Sequence, residues 1–301
     1  MNNSTYEFFQ DVHLWPINSE FNYKRWLENF EDEDDRNIAR IILDGFVYIP
    51  DSHIEQLFKT VIGKCGYYFM QADPDWTHDS FYNNCIYSFI PGSRISAADS
   101  GFIFGRMLRE VLNIHEGKAV DTSALMRLLI SSDRPMNVVL VDDFVGTGEQ
   151  CEEAWNEFGI SQYGQSLSSI VEEKRHRVVY APLIVNYIGL QKITEKCKGL
   201  HLEFIHLLGK EYSLFEKDSI FWRNDDELFA KWMDLHQRIS KQEGFEDTNG
   251  IAADDEKGYR QQGLAIAFKH GIPDACPPLF HSESDIWKPI IKRHYHYGCK
   301  R

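Results

Sequence analysis

Apolar residues recur at three- and four-residue intervals across residues 22–46, as Trp26, Leu27, Phe30, Ile38, Ile41, Ile42 and Phe46, and the acidic run Glu31-Asp32-Glu33-Asp34-Asp35 interrupts them. That spacing predicts two helices joined at the acidic run. A further helix is expected from Ser52, whose hydroxyl suits an N-cap, through Val61, with Gly63 and Gly66 ending it. Residues 1–75 therefore read as a helical extension.

Beyond them the period changes. Cys85-Ile86-Tyr87-Ser88-Phe89-Ile90 is a short β-type run stopped by Pro91-Gly92, and residues 101–112 carry the pattern of an amphipathic helix. Residues 137–141 form an apolar, β-branched run that suits a strand buried on both faces of a parallel sheet. A helix over 149–158, a strand over 177–188, a helix over 189–197 and a strand over 200–208 follow. Such alternation implies an α/β core over residues 76–215, with a mostly parallel sheet and helices on both faces.

In the last part of the chain, residues 225–241 suit a helix with Leu228, Phe229, Trp232, Met233, Leu235 and Ile239 on its apolar face. Residues 244–258 read as polar and flexible, and residues 258–270 as another helix. Pro273 through Pro278 then forces an extended path. Residues 216–301 are expected to form a helical and Pro-rich cap on the core.

The candidate chemistry lies in Val138-Val139-Leu140-Val141-Asp142-Asp143-Phe144-Val145-Gly146-Thr147-Gly148-Glu149-Gln150. Ligands of parallel sheets sit at the carboxyl ends of the strands, where the two acids are expected to fall. Gly146-Thr147-Gly148 removes side-chain bulk, so that backbone N–H groups and the start of the next helix can surround a phosphate. A ligand with a phosphate at one end and hydroxyls at the other, such as ribose 5-phosphate, satisfies both halves. The same residues also fit a solvated turn, and Thr147 also fits a simple helix cap.

This segment resembles the 5-phosphoribosyl-1-pyrophosphate (PRPP) loop of type I phosphoribosyltransferases, a glycosyltransferase class. The resemblance implies that Asp142 and Asp143 act in catalysis by holding the ribose 2- and 3-hydroxyls. Phe144, Val145, Gly146, Thr147, Gly148, Glu149 and Gln150 would then wrap the 5-phosphate. Gln150 stands where that family has a closing Thr or Ser. Ile90-Pro91-Gly92-Ser93-Arg94, with Asp99-Ser100-Gly101, occupies the place of the family's pyrophosphate loop, which makes Arg94 and Ser100 candidate diphosphate contacts. A Mg2+ ion is implied, held mainly through substrate oxygens with Asp142 and Asp143 nearby.

The chain is also similar to phosphoribosyltransferase-like proteins of bacterial conflict systems, some associated with retrons. The shared elements are Trp26-Leu27-Glu28-Asn29-Phe30 and the stretch from Gly258 through Pro277-Pro278-Leu279 to Trp287-Lys288-Pro289. That similarity implies an anti-phage effector acting with a reverse transcriptase and its nucleic acid, or with another defence protein. A catalytically inactive nucleotide-sensing or regulatory module of the same fold is the alternative.

Charge and composition narrow the remaining classes. A formal net charge of -14 argues against sequence-independent nucleic-acid binding by the chain itself, which requires Lys and Arg to displace counterions. The six cysteines form no CxxC pair, so reduced thiols in the cytoplasm are expected. The N-terminus lacks a basic-then-apolar leader, and no apolar run has membrane-spanning length. His294-Tyr295-His296-Tyr297-Gly298-Cys299 carries metal-binding atoms without a ligand spacing, and reads as a solvated or partner-facing end.

Overall fold

The computed structural model describes residues 4–16, 21–91 and 100–293. Arg94 and the His294–Cys299 segment lie outside the described residues. The chain divides into two compact units, one of residues 52–208 and one assembled from residues 1–51 with residues 209–301.

The second of these begins with α1 (Thr5–Asp11), α2 (Tyr23–Leu27), α3 (Glu33–Asp44) and the strand β1 (Val47–Ile49). The acidic run has the role its position suggests, because Asp32 caps α3 by accepting from the amides of Asp34 and Asp35. Its neighbours sit in the first turn, where negative charge is favoured by the helix dipole.

In the other unit, α4 (Asp51–Ala72) and α5 (His78–Asn84) precede β2 (Ile86–Phe89), α6 (Ser100–Glu110) and α7 (Thr122–Ser131). β3 (Asn137–Val145), α8 (Glu149–Asn156), α9 (Ile160–Tyr163), α10 (Leu167–Lys174), β4 (Arg177–Asn186) and α11 (Tyr187–Lys196) continue the alternation to β5 (Leu200–Leu202) and β6 (His206–Leu208). The strands are all parallel in the order β2-β3-β4-β5, and β6 also pairs with β4. This is an α/β fold with helices on both sheet faces. Val138, Leu140, Val178 and Tyr180 pack with Leu125 of α7, Trp155 of α8, Ile170 of α10 and Ile193 of α11. Val139, Val141, Val179 and Ala181, one step out of phase, are equally buried towards the opposite face, where α6 packs on β2 and β3.

Two expectations in this unit are corrected. Gly63 and Gly66 do not end the helix begun near Ser52, since α4 runs on to Ala72. A glycine in a helix costs only about 1 kcal/mol, which burial of Phe58, Val61, Ile62, Cys65 and Phe69 outweighs. Gly66 instead gives room to Phe81, whose ring would lie 3.0 Å from an added Cβ. The single strand expected over 200–208 is two short ones, because Pro182 in β4 has no N–H for the ladder. Pairing with β5 ends at Tyr180 and resumes with β6 at Ile184.

The remaining elements, α12 (Asp226–Glu243) and β7 (Ile266–Phe268), belong to the unit that contains the N-terminal helices. β1 pairs in parallel with β7, Val47 opposite Ile266. The indole nitrogens of Trp26 and Trp287 both donate to the Leu279 carbonyl, at 3.0 and 2.9 Å. Asn29 exchanges two hydrogen bonds with the Lys288 backbone, and Arg238 of α12 forms a two-pronged pair with Asp35. The helix expected over 258–270 is absent. Gly258, Arg260, Gln261 and Gly263 all take positive φ, which no right-handed helix tolerates, and the apolar run after them becomes β7.

The polar stretch 244–258 is organised around a buried acid. Asp255 accepts from the Thr248 amide and hydroxyl (2.7 and 2.8 Å), the Gly250 amide (3.0 Å) and the Lys257 amide (3.0 Å). Among the described residues no helix is long and apolar enough to cross a membrane. Replacing Asp255 with Ala would strand several buried donors, and a loss of about 3 kcal/mol is expected in urea unfolding. A loss below about 0.5 kcal/mol would show that the loop does not depend on this acid.

Candidate functional site

The Asp142–Asp143 pair lies within β3 and not at its end. Pairing with β4 continues through Phe144 opposite Ile184 and Val145 opposite Val185, and the chain leaves the sheet at Gly146. The expected end of the strand at the acids is thus corrected: Phe144 and the β-branched Val145 prolong the apolar run past them. The two carboxyls nonetheless meet through a hydrogen bond, and strict alternation of faces is broken here, since Leu140 and Val145 join the same core cluster.

Asp142 stands opposite Pro182, on the packed face shared with Leu140 and Tyr180, and is only 9% exposed. The Tyr180 hydroxyl donates to its Oδ2 at 2.6 Å, and the Asp143 amide donates to its Oδ1 at 2.9 Å. Burial pushes the Asp142 carboxyl well above the usual carboxylate range, the adjacent Asp143 charge adds to this, and the Tyr180 hydroxyl opposes it. Burial likewise raises Tyr180, which stays a donor at neutral pH. Asp143 is half-buried, and its Oδ1 accepts from the Phe144 amide at 2.8 Å.

The loop after β3 folds back against α11. Gly148 caps α8 with φ +75°, and a Cβ there would lie 3.0 Å from the Gly189 carbonyl oxygen. A Cβ on Gly189 would lie 2.6 Å from Val145 Cγ1 and 2.7 Å from the Gly146 oxygen. Glycine on glycine is what lets the loop and the first turn of α11 touch. Thr147 is buried, and its hydroxyl accepts from the Glu149 amide at 3.3 Å, so it does cap the turn. Lys192 of α11 pairs with Glu149 and Glu152 at 3.4 and 3.5 Å. Gln150 is exposed.

Ser100 begins α6, and its side chain lies outside the described residues, as does all of Arg94. A cavity of about 470 Å3 beside β2 reaches β3 at Val141, one residue before Asp142, and is lined also by Ser88, Arg106, Arg109 and Glu116. Neither Asp142 nor Asp143 is among its described lining residues. Tyr180, Gly189 and Lys192 escaped sequence reasoning. The hydroxyl of Tyr180 in the middle of an apolar strand run was the available signal, since a buried phenol requires a partner.

Among the described residues no group of three or more His, Cys, Asp and Glu side chains is gathered as a metal ligand set. The acids therefore fit a Mg2+ ion only where substrate oxygens fill most of its shell, the mode Mg2+ adopts with phosphorylated ligands. The described cysteines are all free and buried, and Cys151 at the start of α8 is hydrogen-bonded to Cys197.

A protein-family model described as PRTase-CE matches residues 23–293. No curated protein matches the chain.

The state of Asp142 yields a stability test. Its proton is held more tightly folded than unfolded, so the unfolded chain ionises first as pH rises above the ordinary carboxylate range of about 4. The wild-type protein loses stability through that window, whereas Asp142→Asn has nothing to ionise. Urea unfolding is expected to favour the variant increasingly from pH 4.5 to pH 7, by up to about 1.4 kcal/mol per pH unit. A difference between variant and wild type that stays constant with pH contradicts the buried, proton-retaining acid.

Proposed function

This chain belongs to the PRTase-CE family and is a phosphoribosyltransferase-like protein, and from that premise we propose that its 142–150 segment binds PRPP or a related phosphoribosyl nucleotide and transfers or removes the phosphoribosyl group. One observation carries this reading: an acid pair in a central parallel strand is followed directly by a glycine turn, backed by Gly189, that opens α8. In a phosphate-binding role the turn's amides and the helix start would enclose the 5-phosphate. The acids would face the ribose, where cleavage at C1 builds positive charge that a carboxylate stabilises. Mg2+, when bound, would neutralise the diphosphate leaving group.

Two features favour a second reading, a sensor that binds without turnover. Both Asp142 oxygens accept hydrogen bonds from the protein itself, and the exposed Gln150 replaces the closing Thr or Ser of the loop. Titration calorimetry with PRPP and Mg2+ tests both readings. Binding is expected in the wild type, with a loss of at least about a hundredfold in the Asp142→Asn, Asp143→Asn double variant. Equal binding in both proteins sinks the assignment of the site. Mass spectrometry of nucleotides incubated with the protein then separates enzyme from sensor, which leaves them unchanged.

The resemblance to conflict-system proteins extends the proposal to a cytoplasmic effector of anti-phage defence, held by a reverse transcriptase with its nucleic acid or by another defence protein. The free thiols among the described residues support a reducing compartment. Expression without partners is expected to arrest growth, and the double variant to relieve the arrest; growth unimpaired by the wild type refutes the effector role.

A further inference from the structure

We propose that the groove between the start of α3, α12 and residues 286–288 is a docking surface for a basic segment of a partner protein, one that sets Lys or Arg beside apolar side chains. The groove lies wholly within the unit formed by residues 1–51 and 209–301, so this inference stands apart from the phosphoribosyl reading.

The groove has a volume of about 580 Å3. Among its lining residues Phe30, Ile239 and Trp287 are buried, whereas Ile286 leaves 62% of its surface in water. An isoleucine exposed beside such a recess gains stability from whatever covers it.

The charges on the groove are unequal. Four carboxylates line it, Glu28, Glu31, Asp32 and Asp35, against two cations, Arg238 and Lys288. Both cations are already matched. Lys288 Nζ lies 2.6 Å from Glu28, and Arg238 clamps Asp35 at 2.7 and 2.9 Å while its Nε binds Asp234. The surplus falls on Glu31 and Asp32. Asp32 gives one oxygen to the amides of Asp34 and Asp35, and Glu31 has no hydrogen-bond or ion-pair partner among the described residues. Elsewhere in the acidic run Glu33 is held by Arg36 and Arg40, so Glu31 is an acid that the fold does not use.

That combination selects the occupant. Nucleic acid and anionic lipid would bring phosphates against uncompensated carboxylates and are repelled. A purely apolar segment would cover Glu31 and Asp32 without pairing them, at a desolvation cost. Lys and Arg suit both halves, because their hydrocarbon stems lie on apolar surface while the charged end reaches an acid. Basic residues spaced among apolar ones, as on one side of a helix, would cover Ile286 and neutralise Glu31 and Asp32 together.

The test uses the full chain and a fluorescent synthetic amphipathic helix of Leu and Lys, followed by anisotropy. Salt at about 150 mM screens diffuse attraction to a chain of net charge -14. The wild type is expected to bind, and Glu31→Gln with Asp32→Asn to weaken binding at least about tenfold. Asn still caps a helix, so α3 is retained. Ile286→Ser is expected to weaken it about fivefold. Glu157→Gln with Glu172→Gln removes the same charge from exposed positions in the other unit and should change nothing. An equal effect from that control pair reduces the attraction to net charge and overturns the proposal. So does a lysine-only peptide that binds as tightly as the Leu and Lys helix, since the apolar half of the groove would then play no part. A wild type that leaves the helix unbound at about 1 mM also overturns it. Should the double variant lose its circular dichroism spectrum, Glu31→Gln alone decides, and affinity equal to wild type then counts against the groove.

Discussion

A carboxyl group carried into the packed face of a parallel sheet must be met there by donors, or the strand cannot close its neighbours around it. In this protein the donors are the Tyr180 hydroxyl and the Asp143 amide, and the arrangement around them follows. Tyr180 must stay in the core of β4, Asp142 must stay inward, and β3 must run past the acids to Val145 before the chain turns. The turn is then pressed against α11, where only glycine fits at residue 189. The candidate site is thus set by the inside of the sheet as much as by its own loop.

The other unit solves a different problem. Its N-terminal helices are short and bury aromatic side chains such as Trp15, Phe21, Trp26 and Phe46, which they cannot cover by themselves. The C-terminal segment supplies the cover: Phe280 packs on Trp26 and Phe46, Trp287 packs on Phe30, and β7 completes a two-stranded sheet with β1. Asp255 performs for a loop what Asp142 performs for a strand, gathering amides that would otherwise be buried without acceptors.

Membership of a phosphoribosyltransferase-like family fixes an architecture more firmly than it fixes a reaction, because activity depends on the atoms at the loop. Those atoms depart from the type I pattern at Gln150, and they place a buried acid first in the pair. A loop of this pattern can serve a sensor or an effector as well as an enzyme, and the distinction then rests on how a ligand engages the acid pair.

Much of the α/β core was legible along the chain, because a strand buried on both faces must be apolar throughout and a crossover helix must be amphipathic. The run over 137–141, the helix over 149–158 and the strand over 177–188 all appear, within a few residues, as β3, α8 and β4. The acid pair and the glycine turn were legible for the same reason, since charge and flexibility after such a run are conspicuous. Contacts between residues far apart in the chain were not. Gly66 looks like a helix stop until Phe81 is seen against it, and residues 264–268 look helical until β1 lies beside them. The side chain that meets Asp142 is 38 residues away. Local spacing determines which segments are apolar, whereas partners across a sheet are chosen by packing, and only the folded chain reveals them.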